Sequence, residues 1–285
     1  MKKAFRHTLL MGLATLCLCA CGKGGRTLTS ATGTIYECLV VINSQPLNFS
    51  NSALSDINNA PHADTYQGDI ATTYDLVASV MGADMPCLPQ MEPYFQLTEV
   101  KTAAFDDFLK PTRNILYVDI DPTKYTQTKA KIARDYWSHP QAFYRIQAPS
   151  DEAFVAYWLE HGEEVRDWFV REELRRQGTF YKASTNKKAR AAMDKALGCD
   201  MLIPEDYMLI MDTTLTEPKQ THLIWCCNSK GSLRRDIVVY AYPYADTATF
   251  TADYLSRQRD RVLSQVMTSS SEESRMGTEY RIFPP

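Results

Sequence analysis

The sequence predicts an α+β fold, a largely antiparallel sheet or sheets covered by helices. Runs of β-branched and aromatic residues recur as short strands. Between them, apolar residues recur at helical spacing. Most strands follow one another through short links, which favours antiparallel pairing. The chain has 285 residues, 45% of them apolar and 23% charged. That composition suits a packed core and excludes disorder, collagen and a pure coiled coil.

The elements follow in order. Residues 35–42 are β-rich and apolar and read as a buried strand. Residues 43–66 are rich in Asn, Ser, Asp and Ala and read as a long polar loop. Ile70, Tyr74, Val77 and Met81 predict a helix over 70–81, with Gly82 as its stop. Residues 90–100 read as extended, and 113–120 and 141–148 as strands. Residues 124–137 fit two templates. Tyr125, Ile132 and Tyr136 suit a helix, while Ala130, Ile132, Arg134 and Tyr136 alternate like a strand.

The clearest helix covers 151–176. Ser150 caps it, and Asp151 and Glu152 sit in the first turn, where the dipole favours acids. Phe154, Trp158, Val165 and Phe169 form its inner face, and Gly178 is expected to stop it. A helix over 187–197 closes at Gly198. Strands at 207–212, 222–228 and 236–242 follow, then a helix over 249–266. Helix, three strands and helix thus occur twice, in halves 35–178 and 179–285, an order that an internal duplication would give.

The N-terminus carries an address. Lys2, Lys3 and Arg6 precede a short apolar run that ends in Leu18-Cys19-Ala20-Cys21. The run is about 12 residues where a membrane span needs ~20, so it reads as a secretory signal over residues 1–20. Its end resembles the bacterial lipobox. The resemblance implies that Cys21 is lipidated and opens the mature chain, anchoring it to a membrane. Gly22-Lys23-Gly24-Gly25-Arg26 then begins a flexible tether over 21–34. No Asp and no acidic cluster follows Cys21, which points to the outer membrane, facing the periplasm. Loss of the signal takes the formal charge from −3 to −6, and an acidic chain argues against a nucleic-acid partner.

Cys38, Cys87, Cys199, Cys226 and Cys227 remain after the signal. Five is odd and no spacing repeats, so they read as small apolar packing residues. Cys226 and Cys227 are adjacent in a strand and point to opposite faces.

Leu88-Pro89-Gln90-Met91-Glu92-Pro93-Tyr94-Phe95 fits the motif L-P-Q-x-E-P-x-F. Arg113-Asn114-Ile115, Trp137-Ser138-His139-Pro140-Gln141 and Arg259-Asp260-Arg261-Val262 follow. Together they resemble a family of Bacteroidetes lipoproteins that is a domain of unknown function, over about residues 35–281. The resemblance implies an envelope compartment and supplies little mechanism. Members of that family continue into a further strand-rich segment with a Trp and a Gly-Gly-Pro-Phe element, so the expectation is a truncated or divergent member.

Chemistry is sparse. No Gly-x-Ser-x-Gly, His-Glu-x-x-His, Walker loop or Cys-x-x-Cys is present. No catalytic residue, metal or cofactor is therefore expected. His161 and Glu164 share a helix face but read as solvated. Asp119 and Asp121 end a strand on one side and read as an Asp-Pro turn, with acid/base work as the alternative. Arg113 and Glu92 could pair to hold two segments together. With Gln90, Asn114 and Gln141 they could instead line a binding site. Tyr240, Tyr242 and Tyr244 recur with period two, a row that can stack on sugar rings or lie under a helix. Thr213 and Thr247 follow Asp212 and Asp246 and resemble the O-glycosylation sequon of Bacteroidetes envelope proteins; for Thr247 a helix N-terminus explains the pattern as well.

The leading expectation is an envelope lipoprotein that is not an enzyme and binds a partner or supports assembly. A glycan or small-ligand binder is the second reading, and a hydrolase around Asp119, Asp121 or Glu92 the third.

Overall fold

A computed structural model of the chain describes residues 27–47, 70–86, 88, 90–216, 220–267 and 277–278. Cys21, Cys87, Pro89, the signal and most of the 43–66 loop lie outside the described residues. The described residues up to Asp84 and from Pro93 to Phe169 form one unit. Those from Met85 to Glu92 and from Val170 onward form another.

The first unit holds β1 (Thr29–Ser30), β2 (Glu37–Val41), α1 (Thr73–Met81), β3 (Gln96–Val100), β4 (Asn114–Ile120), β5 (Lys129–Arg134), β6 (Ser138–His139) and β7 (Ala142–Ala148). A 33-residue helix, α2 (Asp151–Ala183), begins in it. Five strands form one sheet in the order β3-β2-β4-β7-β5. The class is α+β, as the sequence predicts. The strand sense in this sheet is mixed, however, and the expected antiparallel pairing holds only between β5 and β7. β2 runs parallel to β3 and to β4, and β4 parallel to β7. Parallel neighbours need a long crossover. α1 lies in the one from β2 to β3, β3 itself lies in the one from β2 to β4, and the excursion through β5 and β6 links β4 to β7.

Local chemistry accounts for the elements. Thr72 and Asp75 form a reciprocal cap at the start of α1, and Gly82 ends it. β2, β4 and β7 are buried over most of their length, as central parallel strands are. The ambiguous 124–137 segment becomes a strand because the open edge of β7 pairs with it over six residues. The tether expected over 21–34 is fixed from Thr29 onward. β1 pairs with β6, Thr32 N donates to Pro111 O at 2.9 Å and Arg113 N to Thr32 O at 2.8 Å.

α2 runs through Gly178 to Ala183 rather than stopping near Arg176. A glycine ends a helix when the chain leaves through a left-handed residue. Here the ladder continues instead, and Ser184 N still donates to Phe180 O at 3.2 Å. Two glycines in this helix predict opposite outcomes. Nothing lies within 4 Å of a Cβ built on Gly178. Gly178→Ala is therefore expected to stabilise by up to ~1 kcal/mol through helix propensity. A Cβ on Gly162 would sit 3.0 Å from the Trp158 ring, which is held by its Nε1–H bond to Leu76 O at 3.0 Å. There overpacking of about 1–3 kcal/mol outweighs the propensity gain. Urea denaturation of both variants checks the contrast, and a stabilising Gly162→Ala would refute it.

α1 and the first part of α2 cover one face of the sheet. Trp158 joins them, and Tyr144 of β7 meets Phe169 and Trp168. By strand alternation, Tyr117, Phe143 and Arg145 face the other way. There Leu39, Val41, Ile115 and Phe143 form a second apolar layer under Phe105, Leu109 and Trp137.

The second unit holds α3 (Lys187–Leu197), β8 (Met208–Leu215), β9 (Thr221–Asn228), β10 (Arg235–Ala241) and α4 (Ala252–Val266). Its sheet, β10-β9-β8, is antiparallel throughout. Asn186 caps α3 and Gly198 closes it at φ 64°. α3 packs on one face against Ile224 and Cys226, while Val262 of α4 packs on the other against Leu223 and Trp225. Cys226 and Cys227 thus take opposite faces. Both are buried and outside any disulfide, Cys38 is buried as well, and Cys199 is exposed. The helix expected over 249–266 is broken at Thr251, which caps α4 after a separate 3-10 turn over Thr247–Phe250. A three-stranded meander and a five-stranded mixed sheet have different topologies, so the described residues do not show the internal duplication that the element order could give.

Candidate ligand-binding cleft

The outer face of the five-stranded sheet opens into a cleft of about 240 Å³. β4 contributes Tyr117, and β7 contributes Phe143 and Arg145. The segment after β3 brings Phe105 and Lys110, and the turn after β5 brings Tyr136 and Trp137. That turn depends on Asp135, which takes the left-handed φ of 56°, a conformation that Asp tolerates better than most residues. Its Oδ1 accepts from Gln141 N at 2.9 Å, and its own N–H donates to Gln141 O at 3.0 Å.

The rings form one stacked group. Tyr136 lies nearly parallel to Phe143, with 5.1 Å between ring centres and 13° between planes. Trp137 meets Tyr136 edge-on at 4.5 Å, Phe143 at 4.9 Å and Phe105 at 5.5 Å. Phe105 meets Tyr117 at 5.6 Å. Tyr136 remains 52% exposed, so the stack presents a ring to solvent.

The polar side of the cleft is ordered too. The Arg145 guanidinium sits 5.4 Å over the Tyr117 ring and donates to Asp119. Tyr125 OH donates to the same carboxylate oxygen at 2.7 Å. Burial, with the Asp119 charge nearby, pushes the Tyr117 phenol up, so it stays protonated. Lys110 pairs with exposed Asp107 at 2.5 Å.

Asp119 is therefore committed to Arg145 and Tyr125. Asp121 is pulled down to about 2 by Lys124 and Thr123, and its Oδ1 accepts from Thr123 N at 2.9 Å. This is the Asp-Pro turn chemistry that the sequence suggests, and both carboxylates are engaged by neighbouring side chains. A second crevice of about 410 Å³ crosses the carboxyl ends of the parallel strands, between Asn43, Gln45, Thr102, Asp119, Ser150 and Asp151. Open α/β sheets often place ligands there. Much of its polar wall is spent internally, since Asn43 Oδ1 accepts from both Thr102 N and Thr102 Oγ1. Burial and neighbouring Glu152 raise the Asp151 carboxyl.

The residues singled out from sequence fall elsewhere. Gln141 is fully buried and serves the scaffold. Its Nε2 donates to Lys110 O at 2.6 Å and Thr112 O at 2.7 Å, and its Oε1 accepts from Trp137 N at 2.9 Å. Asn114 is fully buried and donates to Glu37 O at 2.7 Å. A ligand reaches neither, which corrects their expected binding role. Arg113 is half-buried in the first unit, whereas Gln90 and Glu92 are exposed residues of the second.

The tyrosine row does not form one platform. Tyr240 packs into the cluster of Leu223, Trp225 and Val262. Tyr242 stacks on Tyr240 at 6.1 Å and meets Tyr254 of α4 at 6.3 Å, so the helix-packing reading holds for both. Tyr244 leaves the row, is 61% exposed and stacks on Phe250 at 5.5 Å. Thr213 is half-buried on β8. Thr247 opens the 3-10 turn that Asp246 caps, with Ala248 N 2.8 Å from Asp246 Oδ1. His161 pairs with Glu164 at 3.2 Å. Among the described residues no group of three or more His, Cys, Asp or Glu could hold a metal ion, and no helix is long and apolar enough to cross a membrane.

Sequence reasoning missed Phe105, Lys110, Tyr117, Tyr136, Phe143 and Arg145 as a group. The available signal was the aromatic pair Tyr136-Trp137 directly after a Lys-x-Lys strand.

Two family models match the chain. Residues 63–182, which include the cleft, match a domain of unknown function (DUF8532). Residues 185–285 match a second domain of unknown function (DUF4837). No curated protein and no solved structure matches.

Proposed function

We propose that this chain is a lipid-anchored envelope protein, not an enzyme, whose first unit binds a carbohydrate ring in the aromatic cleft. The observation that carries the reading is the exposed Tyr136 ring, backed by Phe143 and Trp137. A pre-stacked group of aromatics loses little freedom when a ring settles on it, which is how stiff side chains contribute affinity. At about 240 Å³ the cleft is below the ~300–1,000 Å³ of drug-sized pockets, which suits a single ring rather than an extended ligand. The cations at its rim add donors for hydroxyl or anionic groups.

Calorimetric titration of the purified chain with envelope-type oligosaccharides tests this. Trp137→Ala should weaken binding about tenfold or more, as loss of a buried aromatic anchor does. Tyr244→Ala, on the second unit, should leave binding unchanged. Equal affinity in wild type and Trp137→Ala would remove the cleft from the reading.

The anchor rests on the basic n-region, the short apolar run and Cys21. In cells, Cys21→Ser should abolish incorporation of labelled palmitate. Continued labelling of that variant would sink the lipoprotein assignment.

A further inference from the structure

We propose that the cleft selects an acidic sugar, with the carboxylate seated between Arg145 and Lys131. This deepens the carbohydrate reading and rests on it.

The carrying observation is a cross-strand pair. In the β5–β7 ladder Lys131 stands directly opposite Arg145, and Ala133 opposite Phe143. Directly opposed residues share a face of the sheet, with Cβ atoms about 5 Å apart. Two cations therefore stand side by side next to the ring stack. Like charges in that position are unfavourable, and the sheet offers only partial relief. Asp119 serves Arg145. Lys131 makes no ion pair with a described residue, and neither does Lys129, two residues along the same face. The other cation of the cleft, Lys110, already has Asp107.

A bound carboxylate removes the repulsion, because its two oxygens can accept from both cations. The ligand's ring then lies on Tyr136 and Phe143, within reach of the same group of side chains. A neutral sugar could use the rings but would bring no negative charge to Lys131, which faces Arg145. The cleft as built is thus complementary to a ring that carries an anion at its edge.

The test uses the full chain, a tetragalacturonate, a glucuronate-containing tetrasaccharide and the carboxyl-reduced counterpart of each. At least one acidic sugar should bind about tenfold tighter than its neutral counterpart, since a hydrogen bond to a charged group is worth more than a neutral one. The difference should shrink as salt rises and vanish in Lys131→Glu. Without ligand, Lys131→Glu should melt about 1–2 °C higher, because an opposed pair of like charge becomes one of opposite charge. Equal binding of acidic and neutral sugars would overturn the charge inference and leave the carbohydrate reading standing. No binding of any of the four would overturn both. Undiminished acidic preference in Lys131→Glu would place the anion elsewhere.

Discussion

Replacing Gln141 by leucine is expected to destabilise the first unit by about 3–5 kcal/mol and to abolish the proposed sugar binding, although the residue is fully buried. The side chain makes three hydrogen bonds from a fully buried position. Leucine fills a similar volume but strands Trp137 N, Lys110 O and Thr112 O. Each buried orphan costs roughly 1–3 kcal/mol, less whatever water can recover. The three bonded groups belong to the two segments that supply Lys110 and Trp137 to the cleft. Urea denaturation and near-ultraviolet dichroism of the aromatic group check the two effects together. A loss under ~1 kcal/mol with full sugar affinity would show that the ladder and the Asp135 turn hold the cleft without it.

The second large effect lies in the second unit. Arg176 and Glu173 form an ion pair at 2.7 Å, with side-chain exposures of 3% and 0%. Removing one partner of a buried pair typically costs about 3–5 kcal/mol, because the other stays desolvated with less compensation. Arg176→Met is expected to fall in that range. The double variant Arg176→Met with Glu173→Leu should recover most of the loss, since an apolar pair of similar volume often matches a buried ion pair. Chemical denaturation of the two single variants and the double gives the coupling directly. A double variant as unstable as the sum of the singles would mean that the pair's attraction to each other is not what holds this part of α2.

Much of the secondary structure was legible because its signals are local. Gly82, Gly198, the Ser150 cap and the apolar spacing of 151–176 each act over a few residues, and each stands where the sequence put it. Strand sense was not legible in the first unit. Whether β2 pairs parallel with β3 depends on where the chain returns after α1, and no residue in either strand encodes that. Gly178 misled for a related reason. A glycine permits a stop, but the residues after it decide whether the ladder breaks.

The site was harder to read than the fold. Its rings come from residues 105, 117, 136, 137 and 143, and in sequence they look like ordinary core aromatics. Gln141 and Asn114 looked like binding residues because a polar side chain beside a strand reads the same whether it meets a ligand or a backbone carbonyl. Tyr240 and Tyr242 do share one face, as period two requires. What the sequence could not show was that α4 already covers it.

β5 also closes the five-stranded sheet on one side. An end strand offers unpaired N–H and C=O groups to any other extended chain, and lysines are a common means of deterring such pairing. Lys129 and Lys131 put charge on that border, as exposed end strands commonly do. Of the two, Lys131 alone would carry both duties if the proposed carboxylate site holds. A change to alanine would alter both at once, whereas a change to glutamate keeps the border of the sheet charged.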